Sequence, residues 1–396
     1  MSKKYIFPEL LDKNIECWNQ ISADKIPRTK QLNQKENDSN LLLLKRTFLK
    51  WLDQDNQLSD LKTTENQSVI KEKVIFFMIN TLKVEEWVCQ LLDKEGYYEV
   101  TYKFINKAKE LIEGISFDDI FQALRNIWVI VALQIYMGEE VKLTDAMFAY
   151  SMLYPLTDNY LDNPLISIKE KKSFNERFYQ KINNNTDQPA NDEEKRIFSM
   201  IDLIESDFPR NKYPNVFMGL LTILDGQKKS LEQHESNNLN DTDLLHYTFY
   251  KGGASVLADA YLVRGELSEA EASFSYGYGI ILQLADDLQD IKEDLENHHD
   301  TPYNQLSVRE PLDAFFLKHE NFITHFMSNV FQKSTKKQLA LYQLLERSIE
   351  LLLFGGVCEN RKCFSKKFLK DYNERSLFSC KIFNKLNKKI MKKISL

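Results

Sequence analysis

Apolar residues recur at three- and four-residue spacing along most of the chain, the period of a helix that buries one face. The pattern predicts helices at about 66–93, 97–113, 117–137, 143–182, 193–206, 213–234, 243–264, 268–295, 310–331 and 334–354, followed by a basic helical tail. Polar, Asn-rich stretches interrupt it: NQKENDSN (33–40), LDQDNQLSD (52–60), NNNTDQPANDEE (183–194), ESNNLNDTD (235–243) and ENHHDTPYNQ (296–305). Each lacks apolar periodicity and reads as a connection. Gly and Pro are sparse, at 12 and 9, and the hairpin-like pair Asp225-Gly226 sits inside a helical pattern. The expectation is an all-α chain: an N-terminal helical extension at 1–65, one helical domain at 66–355 and a basic C-terminal helical segment at 356–396.

One helix stands out. GYGIILQLADDLQDIKED (277–294) is apolar nearly all round from Gly277 to Ala285, as a buried helix is, and then runs into five carboxylates. Gln283, Asp286, Asp287, Asp290 and Asp294 follow at helical spacing, so they share one stripe that continues the buried face. Carboxylates crowded at low dielectric repel unless a cation stands between them, and Mg2+ would relieve this while staying open to phosphate oxygens. The bland reading is a helix emerging into water, where acidic runs are ordinary. A second cluster weighs against it. In YSMLYPLTDNYLDNPL (150–165), Asp158 and Asp162 share a helix face, with Asn159 and Asn163 one position along, again after an apolar run.

The 396 residues are 43% hydrophobic and 28% charged, enough to build a substantial core. A net charge of −6 argues against a general nucleic-acid binder, which needs a basic face, so no nucleic-acid partner is expected. Five cysteines (Cys17, Cys89, Cys358, Cys363, Cys380) are scattered, and the close pair in CENRKC has no matching second pair for zinc; reduced thiols are expected. The start MSKKYIFPELLDKN has no apolar leader, and no stretch reaches the roughly 18 apolar residues of a membrane span, so the expected location is cytoplasmic.

The motifs resemble those of the class I isoprenoid synthases, the all-helical superfamily of prenyl diphosphate synthases and class I terpene synthases. Gly279-x-x-x-Gln283-x-x-Asp286-Asp287-x-x-Asp290 looks like their second aspartate-rich motif. YKGGASVLADAYLVRG (250–265) is similar to the stretch where a lysine, matched by Lys251, precedes small residues. DNYLDN resembles a degenerate first aspartate-rich motif, with Asn159 where a second Asp is usual, and LRNIWVIVALQIYMGEE (124–140) matches a helix opened by an arginine, here Arg125. The resemblance covers roughly residues 117–300.

It implies a helical bundle around a central apolar cavity and a Mg2+ cofactor. Asp158, Asp162, Asp286, Asp287 and Asp290 would be catalytic, with Asp158, Asp162, Asp286 and Asp290 as metal ligands and Lys251, Gln283 and Arg125 on the substrate diphosphate. The activity implied is ionisation of an allylic prenyl diphosphate, whose cation an aromatic-lined cavity would shelter, although any single aromatic such as Trp128, Phe148, Tyr154 or Tyr276 is expected to be plain core. Departures from the pattern set the subclass. Where chain-elongating members bind isopentenyl diphosphate, this chain reads DDIFQALR and NPLISIKEKKSF, so a one-substrate terpene synthase is expected over a condensing enzyme. Lys169, Lys171, Lys172 and Arg177 are the residues that could replace the missing anion site. A catalytically silent subunit with the same fold stays open because of Asn159. A di-iron bundle does not, since it needs two Glu-x-x-His motifs and only Glu296-x-x-His299 is present; His299-Asp300 has no fitting histidine partners for a metal phosphohydrolase. A homodimer is compatible with the resemblance. The tail KIFNKLNKKIMKKISL (381–396) sets Ile382, Phe383, Leu386, Ile390 and Ile394 on one face among six lysines, which suits peripheral contact with an anionic membrane as well as a last bundle helix.

Overall fold

The structure, a computed structural model, describes residues 8–24, 37–39, 42, 64–184, 188–233, 241–332 and 334–385. Among these every regular element is helical and no strand occurs. In chain order they are α1 (Pro8–Gln20), α2 (Thr64–Asn80), α3 (Glu86–Lys94), α4 (Tyr97–Leu111), α5 (Phe117–Met137) and α6 (Asp145–Asp162). Then come α7 (Ile168–Ile182), α8 (Asp192–Asp207), α9 (Pro214–Gln233), α10 (Asp241–Arg264) and α11 (Glu269–Gln289). The last are α12 (Ile291–Glu296), α13 (Pro302–Ser307), α14 (Asp313–Val330), α15 (Lys336–Glu359) and α16 (Lys366–Arg375), with a 3-10 turn at Arg361–Cys363.

Three expected helices are broken. The 66–93 stretch divides into α2 and α3 where Lys83 takes a left-handed φ of 58°. The 143–182 stretch divides into α6 and α7 at Asn163, which precedes Pro164 and has an extended ψ of 115°, as the ring of a following proline demands. The 268–295 stretch breaks at Asp290, between α11 and α12. Conversely, α13 forms inside the expected 296–305 connection. Thr301 and Asn304 make a reciprocal capping box there, and Pro302 occupies the first turn, where its missing N–H costs nothing. The expected connection at 52–60 and the tail beyond 385 lie outside the described residues, as does most of the N-terminal extension. By length and composition α5 could cross a bilayer over Asp118–Met137, contrary to the expectation that no stretch would qualify; more than half of that window is buried within the protein.

The described residues form two compact units. The first is built chiefly from Glu99–Lys229 and Gly253–Gly279. Its α6 packs on α5 and α8, and α7 on α8. Ser116 and Asp119 cap α5 reciprocally, and Gly138 ends it at a φ of 74°. Phe104 and Phe148 join α4 to α6 with ring centroids 5.4 Å apart. Behind the far end of α6, the fully buried Glu194 of α8 accepts Arg177 Nε at 2.9 Å, a second guanidinium N–H, Tyr160 Oη at 3.0 Å and the Ala190 N–H at 2.9 Å. Burial pushes this carboxyl up, but Arg177 and the other donors outweigh it and hold the group below its ordinary value.

The second unit contains the described residues of Glu9–Tyr98, Ser230–Gly252 and Ile280–Leu396. Trp18 of α1, 3% exposed, sits among Phe249, Phe315 and Phe322 with centroids 5.2–5.7 Å away. A second aromatic group gathers around Phe316, which touches Phe364, Phe368 and Tyr372 edge-on. Cys358 of α15 and Cys380 are joined as a disulfide, their Cα atoms 5.1 Å apart. That corrects the expectation of five reduced thiols: residues 22 apart in sequence are brought to bonding range by the turn through α16, which spacing alone does not reveal. Disulfides are uncommon in reducing compartments, so the cysteines give no support to a cytoplasmic location.

The Arg177–Glu194 pair makes an asymmetric prediction. Arg177→Ala leaves a buried carboxylate without its cation and should cost about 3–5 kcal/mol in equilibrium unfolding. Glu194→Gln leaves Arg177, whose side chain is 25% exposed, able to reach water and should cost clearly less. Equal losses would mean that the pair acts through packing rather than charge.

Candidate functional site

The acidic helix of the second unit is graded from core to surface. Ile280, Ile281, Leu284, Ala285 and Leu288 are buried, as the apolar run requires. Asp287 is buried with them at 4% exposure, while Asp286 is exposed and Asp290 half-buried. The expected single stripe therefore splits. Successive residues on a helix diverge by about 100°, and Asp287 takes the inner position. Thr248 Oγ1 of α10 donates to its Oδ2 at 3.2 Å, and Gln283 Nε2, one turn earlier on α11, donates to its Oδ1 at 2.8 Å. Burial pushes the Asp287 carboxyl up to about 7 against the opposing pull of the Lys251 ammonium and the Gln283 amide; Asp286 and Asp294 add to the upward push.

Thus Lys251, Gln283 and Asp287, named from sequence, are brought together across α10 and α11. Asp286, Asp290 and Asp294 follow one another at single-turn intervals. Although α11 ends at Gln289, the Asp290 N–H still donates to the Asp286 carbonyl at 2.9 Å and the Asp294 N–H to the Asp290 carbonyl at 2.8 Å. The carboxylates therefore keep helical register through the break. Among the described residues, no three His, Cys, Asp or Glu side chains converge as a ready metal-binding group.

What fixes this end of α11 was not foreseen. Gly356 of α15 lies so close that a Cβ there would stand 2.6 Å from Leu288 Cγ. Four residues on, Asn360 Nδ2 donates to the carbonyls of Leu288 at 2.7 Å and Gln289 at 3.2 Å, and Gln289 Nε2 donates to the Leu352 carbonyl at 3.0 Å. The last carbonyls of α11 are thereby capped from a neighbouring helix. The glycine pair Gly355-Gly356 and the Asn360 that caps α15, just past the expected end of that helix, were the available signal.

In the first unit, Asp158 is half-buried on α6. Asp162 is the last residue of that helix, and its side chain lies outside what the structure describes. Asn159 is exposed and donates to Asp119 Oδ1 at 2.9 Å, so it supports the cap of α5. Pro155 removes one backbone donor from the interior of α6, and Thr157 Oγ1 bonds the Leu153 carbonyl at 2.8 Å one turn before Asp158. Arg125 is exposed on α5. Arg177, a candidate for a second anion site, is committed to Glu194. Gly253, two residues after Lys251 in the small-residue run, would place a Cβ 2.4 Å from the Tyr276 ring, so the backbone of α10 meets α11 there without room for a side chain.

A buried acid escaped the sequence reading. Asp259 of α10 is 0% exposed; Asn126 Nδ2 donates to its Oδ1 at 2.9 Å, and its Oδ2 meets no hydrogen-bond partner. Burial pushes its carboxyl well above the ordinary value, with only the Asn126 bond acting the other way. Asn126 also donates to Ser151 Oγ at 3.1 Å. A single Asp inside the apolar run ASVLADAYLV was the signal.

No family model, curated protein or solved structure matches the chain. The resemblance to class I isoprenoid synthases thus rests on the motif residues themselves.

Asp287 gives a pH signature. Its folded-state value of about 7 lies above the ordinary 3.8, so between these limits the folded protein holds a proton that the unfolded chain has released. In metal-free buffer this group's contribution should fall as pH rises from about 4 to about 7 and be level above that. Asp287→Asn should match wild type near pH 4 and melt at a higher temperature near pH 8, by an amount on the order of a few kcal/mol. Parallel Tm-versus-pH curves for the two proteins would show that Asp287 does not carry the proton.

Proposed function

We propose that the chain is a Mg2+-dependent class I terpene synthase: it ionises an allylic prenyl diphosphate, farnesyl, geranylgeranyl or longer, and releases diphosphate to give a cyclic or linear terpene. The observation that carries the reading is the meeting of Lys251, Gln283 and Asp287 at the head of a carboxylate series spaced one turn apart. The donors are hard oxygens, which suit Mg2+ better than softer metals. Asp286 is exposed and Asp290 half-buried, and the resemblance assigns both as ligands. Asp287 has both oxygens engaged and acts as the fixed post for Lys251. The resemblance assigns ligand roles to Asp158 and Asp162 of α6 as well.

When bound, Mg2+ would neutralise charge gathering on the departing diphosphate. The chain's own tasks are simpler. Lys251 offers an ammonium to diphosphate oxygens, and Thr248 and Gln283 hold Asp287 beside it. Arg125, exposed on α5, is free of any fixed role in the core and is the second cation the resemblance assigns to the diphosphate. The commitment of Arg177 to Glu194 favours one substrate over two, since it withdraws the one arginine of the basic stretch after the first motif from a second anion site.

Incubation with geranyl, farnesyl, geranylgeranyl and longer diphosphates plus Mg2+, with and without isopentenyl diphosphate, tests the proposal. A hydrocarbon or alcohol should form without isopentenyl diphosphate. Asp286→Asn and Asp290→Asn should each lower turnover about a hundredfold or more, and Lys251→Ala should raise KM and slow ionisation in a protein that still folds. Longer linear diphosphates, formed only when both substrates are present, would instead mean chain elongation. No diphosphate release from any substrate by folded protein would mean a silent subunit.

A further inference from the structure

Within the second unit, the last described segment shapes a groove of about 470 Å3 against α16, open to solvent on one side. Arg361, Lys366, Lys370 and Lys381 line it, and among the described residues no acidic side chain does. Lys366, Leu369, Lys370 and Asn373 recur at three- and four-residue intervals, so a single stripe of α16 faces the groove. The acids of α16, Asp371 and Glu374, fall off that stripe. Arg375 is turned away into a bidentate pair with Glu320 of α14, at 2.9 and 2.6 Å.

The groove is also fixed. Tyr372 and Cys380 form its buried floor, and the Cys358–Cys380 bond ties the segment carrying Ser379 and Lys381 to α15. The Ser379 N–H donates to Asp38 Oδ1 at 2.9 Å, which sets the backbone of that segment. Lys366 stands in the first turn of α16, a ten-residue helix whose amino end adds partial positive charge. Four exposed cations along one groove give it a local positive potential that draws anions to a protein of net charge −6. A single carboxylate would leave most of that charge uncompensated. A phosphoryl group offers several oxygens and more than one charge in a volume that fits.

We propose that this groove is a binding site for a multiply charged phosphoryl anion, separate from the cluster around Lys251 and Asp287. The anion can come from a free diphosphate or from a phosphorylated lipid headgroup, which share the chemistry the groove reads. The proposal stands whether or not the chain is a terpene synthase.

The test titrates the full chain with inorganic diphosphate in buffer containing a chelator, read by calorimetry, and in parallel with sedimenting vesicles of phosphatidylcholine with or without phosphatidic acid. Wild type, the double variant Lys366→Ala/Lys370→Ala, the off-stripe control Lys367→Ala and Lys251→Ala are compared. Saturable diphosphate binding that weakens tenfold or more in the double variant, as loss of two charge-assisted contacts implies, and is unchanged in Lys367→Ala, assigns the groove to a free phosphoryl anion. Groove-dependent binding to phosphatidic acid vesicles alone assigns it to a headgroup. Failure to bind either probe, binding that survives the double variant, or binding lost in Lys251→Ala but kept in the double variant overturns the proposal.

Discussion

A carboxyl group in an apolar interior has to be satisfied by its surroundings or keep its proton, and the candidate site depends on how Asp287 meets that demand. One oxygen is taken by Thr248 of α10 and the other by Gln283 of α11, with the Lys251 ammonium close by. Two bonds from two helices fix the rotation of each about its axis. Once Asp287 points inward, Asp286, one position back on the helix, is left exposed, and Asp290 at the helix break is half-buried. The grouping is thus one device: the buried acid sets the register, and the neighbouring acids inherit it.

Asp259 shows what the same constraint looks like when half met. It is as deeply buried, yet a single amide serves it and Oδ2 has no hydrogen-bond partner. Burial pushes its carboxyl well above the ordinary value, opposed only by the Asn126 bond. For Asp287 the same push is opposed by the Lys251 ammonium and the Gln283 amide. Neighbouring charge, rather than depth, separates the two.

The helical character of the chain was legible because period and composition agree over long stretches. Breaks were less so. Asn163-Pro164 carried its own signal in the proline, but the left-handed Lys83 between α2 and α3 had none, because no glycine or proline marks it and the apolar spacing runs through. Asp287 and Gln283 could be named from spacing and Lys251 from the resemblance, whereas which aspartate faces inward could not: adjacent residues on a helix lie about 100° apart, and an amphipathic pattern fixes a face no more closely than that. The bond between Cys358 and Cys380 and the contact of Gly356 with Leu288 depend on the path of the chain, which local pattern does not encode.

The way α11 ends explains why carboxylates follow an apolar run. A helix end carries partial negative charge on its last carbonyls, and those of Leu288 and Gln289 are partly answered by the Asn360 amide. An amide is neutral. It satisfies hydrogen bonds without cancelling the charge that Asp286, Asp290 and Asp294 add around the same end. His299 approaches Asp294 at 3.5 Å, and Lys251 stands by Asp287. Gly356 and Asn360 hold this apolar helix end against α15, so Asp286, Asp290 and Asp294 keep their one-turn spacing. A carboxylate series held at fixed spacing on a clamped helix end is what the proposed binding of Mg2+ and an anionic partner would require.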